Sequence, residues 1–373
     1  MYEFLILPTE TVRGIVNSLD KRPIRPIVAS LSLPCCQPVV VPDTTTTTNI
    51  TQTRNGTTPM QVFIFARFRY GSSFTAEIFN RNPEFVYFYE PLYGANESLE
   101  QTLVLLHKLA SCNITSTGTL SMRRWGKITN FSCLHSESMK QTGLCNKPNQ
   151  DPRNATTRRS NIKIDAILEG LCRSRKHVAI KTVRVQDMGV LRSIVSDPTL
   201  NVKIIQLVRD PRAVYVSRHL VHEIGDMQMS ECDVIKKNLY YWRDQPDWLR
   251  GRHMLLRYED LAEHPHDVAQ KIYSFLGLGA LPETVRVWLD ENTNSNRSNK
   301  YAYATTRMSM NTAGAWRRKI NYSDVVKIQR YCKRLLPMLG YIPILYKRAL
   351  NNSDILTKTR LRYFPFVRKK IGH

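Results

Sequence analysis

Apolar residues in this chain fall in short unbroken runs separated by stretches with helical spacing. The runs are QVFIFA (61–66), EFVYFY just ahead of Glu90, HVAIKTV (177–183), VKIIQLV (202–208) and HMLLRYEDL (253–261). Each is too short for a helix of its own, and the first four are rich in β-branched or aromatic residues, so each predicts a strand. Between them, apolar positions recur every three or four residues in FTAEIFN after the first run, and over 97–110, 162–173 and 187–196. The same spacing continues from Pro211, over 231–243, and again up to about 276. Pro211 suits a first helical turn, and Gly277 suits a helix end. Strands alternating with helices predict βαβ units, and unbroken apolar strands are what a sheet covered on both faces requires. The expected fold is α/β, a P-loop-like parallel sheet flanked by helices, with ligands taken up outside the carboxyl ends of the strands.

The first 59 residues have a different character. They hold several prolines, the Cys35-Cys36 pair and the threonine run Thr44 to Thr48, with little periodicity. They read as a flexible Thr/Pro-rich stem before a folded domain over 60–345. A basic tail containing RLRYFPFVRKK occupies 346–373.

Lysine and arginine number 54 against 31 acidic residues, a net charge of +23. Such a surface attracts polyanions but does not choose among nucleic acid, anionic membrane and acidic glycans or nucleotides. With 42% hydrophobic residues the chain has material for a core, which excludes wholesale disorder. Eight cysteines without a C-x-x-C pair exclude a zinc ribbon or a thioredoxin-type site, leaving buried thiols or scattered disulfides. His264 and His266 flank Pro265 in an expected turn and lack a third ligand, and no D-x-D occurs, so no metal is expected. N-x-S/T acceptors at Asn49, Asn55, Asn96, Asn113, Asn130, Asn154, Asn296, Asn321 and Asn351 exceed what chance would give. They point to a glycosylated lumenal or secreted chain, which counts against nucleic acid as the partner. No stretch approaches the roughly 20 apolar residues of a membrane span.

Two loops carry candidate chemistry. Arg69-Tyr70-Gly71-Ser72-Ser73-Phe74 joins the first strand to a helix. Gly71 permits a tight turn, and the two serines stand at a helix N-terminus, whose unpaired N–H groups and positive dipole end bind phosphate. No G-x-x-x-x-G-K-[ST] pattern occurs, so the loop is not that of an ordinary ATPase or kinase. Arg209-Asp210-Pro211-Arg212 comes directly after the fourth strand and opens a helix in which Ser217 lies two turns on. Together the loops suggest two anion sites for a nucleotide with phosphates at both ends.

With both loops in place, the chain resembles the carbohydrate sulfotransferases that 6-O-sulfate galactose, N-acetylgalactosamine or N-acetylglucosamine. RFRYGSSF resembles their 5′-phosphosulfate loop, and EPLY (Glu90 to Tyr93) is similar to their next block. RDPRAVYVSR (209–218) resembles their 3′-phosphate motif. IKTVR (180–184), RYEDLAEHP (257–265), AWR (315–317) and LLPMLGY (335–341) match further blocks. The resemblance covers about residues 60–345. It departs at Tyr70, where the family has Thr or Ser.

The resemblance implies a sulfotransferase-type fold using 3′-phosphoadenosine 5′-phosphosulfate (PAPS) as sulfuryl donor, without a metal, on a glycan acceptor in the Golgi lumen or secretory pathway. It implies a membrane anchor, which is not visible in this chain. The donor-binding set it implies is Arg69, Tyr70, Gly71, Ser72, Ser73, Phe74, Arg209, Ser217, Tyr258, Trp316 and Arg317. Arg69 would steady charge on the leaving phosphate. Glu90 is the candidate base, with a structural carboxylate paired to an arginine such as Arg184 as the alternative. Lys181 and Arg184 are candidate acceptor or sulfate contacts. The segment 111–160, with three cysteines and several acceptor asparagines, is expected as an insertion near the acceptor site or as a surface excursion pinned by disulfides. A protein of the same fold that binds PAPS or sulfated glycan without catalysis is the alternative function.

Overall fold

The computed structural model describes residues 58–93, 98–115, 134–142, 145, 158–220, 230–293, 309–352 and 357–359. All but the last two residues of the expected stem lie outside this set, as do 360–373 of the tail and most of the insertion.

Five strands form one parallel sheet: β1 (Gln61–Phe65), β2 (Phe85–Tyr89), β3 (His177–Thr182), β4 (Val202–Val208) and β5 (His253–Arg257), in the order β2-β3-β1-β4-β5. Each apolar run predicted as a strand contains one of them. β1 shows why its run is unbroken. Val62 and Ile64 enter the core on one side of the sheet, with Phe74, Ala76, Ile78 and Phe79 of α1 (Ser72–Asn80). Phe63 and Phe65 enter the core on the other side, with Leu105, Leu106 and Leu109 of α2 (Leu99–Ser111). A polar residue at any of these positions would be buried without water to serve it.

One strand is shorter than the sequence predicts. HMLLRYEDL is a strand only to Arg257, and Tyr258–Glu263 is a helix. Glu259 and Asp260 stand in its first turn, where carboxylates are favoured by the helix dipole. Glu259 is fixed further by accepting from the Asp210 N–H at 3.1 Å and the Tyr341 hydroxyl at 2.8 Å. Pro265 then opens the next helix, Pro265–Leu276, which Gly277 ends in the left-handed conformation.

The outer edge of β2 is covered by residues 136–138 of the insertion. Ser136 donates to the Tyr87 carbonyl at 2.8 Å, and the Tyr87 N–H donates to Ser138 Oγ at 3.2 Å. Two disulfides lie among the described residues, Cys112–Cys172 and Cys232–Cys332, separated in sequence by 60 and 100 residues. Loops of that length are worth about 4 kcal/mol each on a chain-entropy account. Beyond residue 345, the helix Lys347–Asn351 buries Ala349 and Leu350, and Thr359 donates to the Gly340 carbonyl.

Two buried imidazoles set an acid limit on the fold. Burial pushes His177 down to about 4 and His253 to about 3. Both are neutral in the folded state, whereas the unfolded chain protonates them near 6.5. Their contribution is complete above pH 6.5 and is lost as pH falls toward those folded values. Unfolding near pH 4.5 therefore takes up more protons than at pH 7. We expect a melting-temperature drop between pH 7 and 4.5 that is shallower in His253→Gln, as read by calorimetry across that range.

Candidate active site

The sheet order places the site. The connection leaving β1 runs toward β2, and the one leaving β4 runs toward β5, so the loops after these adjacent strands part and leave a crevice at their carboxyl ends. Both candidate loops lie at this crevice.

In the first loop, Arg69 (φ 69°) and Gly71 (φ 88°) are left-handed. A Cβ on Gly71 would lie 2.1 Å from Cδ2 of Tyr258, so the position excludes a side chain on both counts. Gly71→Ala should lower the melting temperature; an unchanged melting temperature would show that Tyr258 can move aside. Gly71 caps α1 without a side chain, and the first turn holds no acidic residue. The Thr75 N–H makes the first helical bond, to the Gly71 carbonyl at 3.1 Å. The N–H groups of Ser72, Ser73 and Phe74 thus have no partner within the helix, and the dipole end is free of compensating charge.

Tyr70 and Phe74 support the loop from beneath. Tyr70 is fully buried in the core on the α1 side. Burial and then Glu231 hold its phenol well above the usual range. Phe74 packs edge-on to Tyr258 and against Trp288.

The second loop is tied to the first. Arg209 is 9% exposed and donates to the Arg69 carbonyl at 2.8 Å. Its guanidinium lies 4.3 Å over the Tyr258 ring, which thereby stands between Gly71 and Arg209. Its Nε is buried with no partner. Arg69 Nε donates to Ser217 Oγ at 3.0 Å, which draws Arg69 to the Ser217 side of the crevice.

Glu90 comes directly after β2 in a left-handed conformation, φ 43°, a strain of about 1 kcal/mol or more for a residue with a side chain. Its partner is Lys181, and no contact joins it to Arg184. Lys181 Nζ donates to Glu90 Oε1 at 2.7 Å and to Ser73 Oγ at 3.2 Å, and lies 3.9 Å over the Tyr89 ring. Lys181 is 1% exposed and Glu90 12%, so the carboxylate is reachable and the ammonium is committed to its neighbours. Arg184 is exposed, 5.0 Å from both the Phe68 and Tyr93 rings.

Trp316 reaches the second motif, and Arg317 reaches the segment beyond residue 345. Trp316 is buried with the Arg212 guanidinium 4.7 Å over its ring. Arg317 donates to the carbonyls of Ala349, Leu350 and Asn352.

Sequence reasoning missed a carboxylate beneath the loop. Glu231 is 4% exposed and pairs with Arg218 at 2.6 Å and Arg67 at 3.7 Å, while Arg218 donates to the Phe68 carbonyl at 3.2 Å. Arg67 and Arg218 sit inside the two recognised motifs. Glu231 lies outside both, and nothing local announces it.

The fold and the crevice define an α/β protein in which two loops meet at the carboxyl ends of the central strands, with a lysine-held carboxylate beside them. Comparison with known proteins then gives the family. The model described as "Sulfotransferase domain" matches residues 50–340. Carbohydrate sulfotransferase 1 of Danio rerio is 29% identical over 361 residues, covering 84% of this chain and 85% of that protein. Carbohydrate sulfotransferase 1 of Rattus norvegicus is 30% identical over 352 residues, covering 82% and 85%. Carbohydrate sulfotransferase 3 of Mus musculus is 30% identical over 341 residues, covering 80% and 71%. Among solved structures, the sulfotransferase domain of the Synechococcus PCC 7002 olefin synthase is similar with TM-score 0.44 and 17% identity, over 76% of this chain and 97% of that one. The chain belongs to the carbohydrate sulfotransferase family.

Proposed function

We propose that the protein transfers a sulfuryl group from PAPS to a sugar hydroxyl, the 6-OH of galactose, N-acetylgalactosamine or N-acetylglucosamine in a glycan, within the Golgi lumen or secretory pathway. The observation that carries this reading is the Lys181 bridge. It sets a carboxylate, Glu90, beside Ser73 of the anion cradle, where an acceptor hydroxyl must lose its proton.

The residues present suit the donor. The α1 terminus without an acidic first turn, the side-chain-free Gly71 and the unpartnered buried Nε of Arg209 are each explained by a bound polyanion. Gly71, Ser72 and Ser73 would hold the 5′-phosphosulfate, and Arg209 with Ser217 the 3′-phosphate. When bound, PAPS supplies an activated sulfuryl group on a good leaving phosphate. Glu90 accepts the proton of the acceptor hydroxyl at a carboxylate oxygen. Lys181 fixes that carboxylate, and Arg69 adds positive charge at the crevice. Tyr258 keeps the two loops at a set spacing.

Tyr70 is the residue that favours a non-catalytic binder, and its ring lies in the core rather than at the crevice. The acceptor asparagines Asn113, Asn321 and Asn351 are exposed, which suits a lumenal glycoprotein. No described helix is long and apolar enough to cross a membrane.

The test is incubation with sulfur-labelled PAPS and keratan-type, chondroitin-type and N-acetylglucosamine-terminated acceptors. Label on one class supports the reading and names the sugar. Binding of 3′,5′-bisphosphoadenosine (PAP) with no label on any acceptor would reject catalysis and leave the binder.

A further inference from the structure

His135 lies within the insertion, in the described stretch 134–142 beside β2. Its backbone is held from both sides. Asn80 Nδ2 donates to the His135 carbonyl at 3.0 Å, and the Glu137 N–H donates to Asn80 Oδ1 at 2.9 Å. The next residue, Ser136, is bonded to the Tyr87 carbonyl at 2.8 Å on the edge of β2. The imidazole stacks on Tyr89 with centroids 4.1 Å apart and planes 22° from parallel. Tyr89 is the ring that Lys181 Nζ approaches at 3.9 Å, and Glu90 is the next residue along the chain. The ring is half-buried, and neither nitrogen has a hydrogen-bond partner among the described residues. A fixed imidazole in this position has no structural use for its two polar edges.

We propose that His135 is an acceptor-binding residue, whose ring nitrogens engage the hydroxyls of the pyranose that presents its reacting hydroxyl to Glu90. This rests on the sulfotransferase reading and goes beyond it by assigning the acceptor side to a residue of the insertion. The chemistry matches. One tautomer offers one donor and one acceptor, the complement of a neighbouring hydroxyl pair on a sugar. The ring is already ordered by Tyr89, so little entropy is lost when a sugar docks. The charged groups facing it are Lys181 from β3, Glu90 from β2 and Lys140 on its own segment. Burial first, then Lys181, hold the imidazole below its usual 6.5, while Glu90 opposes this. The acceptor edge is therefore available at neutral pH and is lost to protonation as pH falls below the usual imidazole range.

The test, which needs no turnover, is calorimetric binding of keratan-type, chondroitin-type and N-acetylglucosamine-terminated oligosaccharides to the full chain in the presence of PAP, followed with the one that binds most tightly. His135→Ala should weaken oligosaccharide binding about tenfold, the worth of one or two hydrogen bonds. PAP affinity should not change, the melting temperature should drop only by the lost stacking on Tyr89, and His135→Gln should restore part of the loss in oligosaccharide binding. Wild-type affinity for the oligosaccharide should fall as pH is lowered below 6.5, and the alanine variant should lack that dependence. Oligosaccharide affinity within twofold of wild type in His135→Ala would overturn the proposal. So would an equal loss of PAP affinity, which marks a merely structural residue. Failure of the wild type to bind any of these oligosaccharides while binding PAP would overturn the acceptor assignment alone; failure to bind PAP would overturn the donor reading and this one with it.

Discussion

Glu90→Gln should lower turnover at least a hundredfold while leaving PAP binding intact. The substitution keeps the shape of the side chain and removes its proton affinity, and general-base catalysis by a positioned group is worth about 10²–10⁴. Donor affinity should hold or tighten. Lys181 is shared between Glu90 and Ser73, so without the carboxylate its charge falls to Ser73 and the cradle. Labelled-sulfate transfer and PAP calorimetry on the same preparation separate the two effects. Undiminished transfer would reduce Glu90 to the ion-pair partner of a buried lysine. Lys181→Met is the complementary probe: it leaves a strained, unpaired carboxylate beside the cradle and should weaken PAP binding as well as turnover.

Arg209→Ala should weaken PAP binding by about 30- to 1,000-fold, since truncating one partner of a buried, hydrogen-bonded charge pair costs about 2–4 kcal/mol. The side chain links the loops through the Arg69 carbonyl and the Tyr258 ring, and keeps a buried Nε unpartnered. Arg209→Lys should recover little, because an ammonium has no planar fork with which to hold the carbonyl and an anion together. PAP affinity within threefold of wild type in Arg209→Ala would detach the second loop from the nucleotide.

How much of the fold and site is legible in the sequence depends on how local each feature is. The strands are readable because burial on both faces leaves no polar alternation, as in β1, where successive residues feed opposite cores. Their order is not, since it depends on pairings such as Tyr89 with Lys181 that no short window contains. The same pairing explains why Arg184 is the wrong partner for Glu90. Parallel register brings Lys181 alongside Tyr89, whereas Arg184, nearby in sequence, lies past the strand end. Gly71 and Arg209 are readable because a turn and a strand end each announce themselves locally. The strand predicted over 253–261 overruns β5 because the apolar run ends at Leu256, and the acidic pair Glu259 and Asp260 after it opens a helix whose Glu259 is held by tertiary partners. Trp316 and Arg317 are assigned by resemblance; Trp316 meets Arg212 of the second motif, and Arg317 meets the carbonyls of Ala349, Leu350 and Asn352.

The Cys232–Cys332 cross-link bears on how the protein has to be made. Cys232 is the neighbour of Glu231, the carboxylate that pairs with Arg67 and Arg218 beneath the Gly71 loop, and the bond ties the start of the helix Ser230–Asp244 to Cys332, 100 residues further on. A recombinant chain expressed in a bacterial cytosol would leave both sulfurs reduced and the helix that carries Glu231 without its cross-link. Yield of soluble protein is therefore a poor guide to quality. Titrating free thiols, and comparing PAP binding between cytosolic and secreted preparations, would sort competent material from folded but slack material before any acceptor is tried.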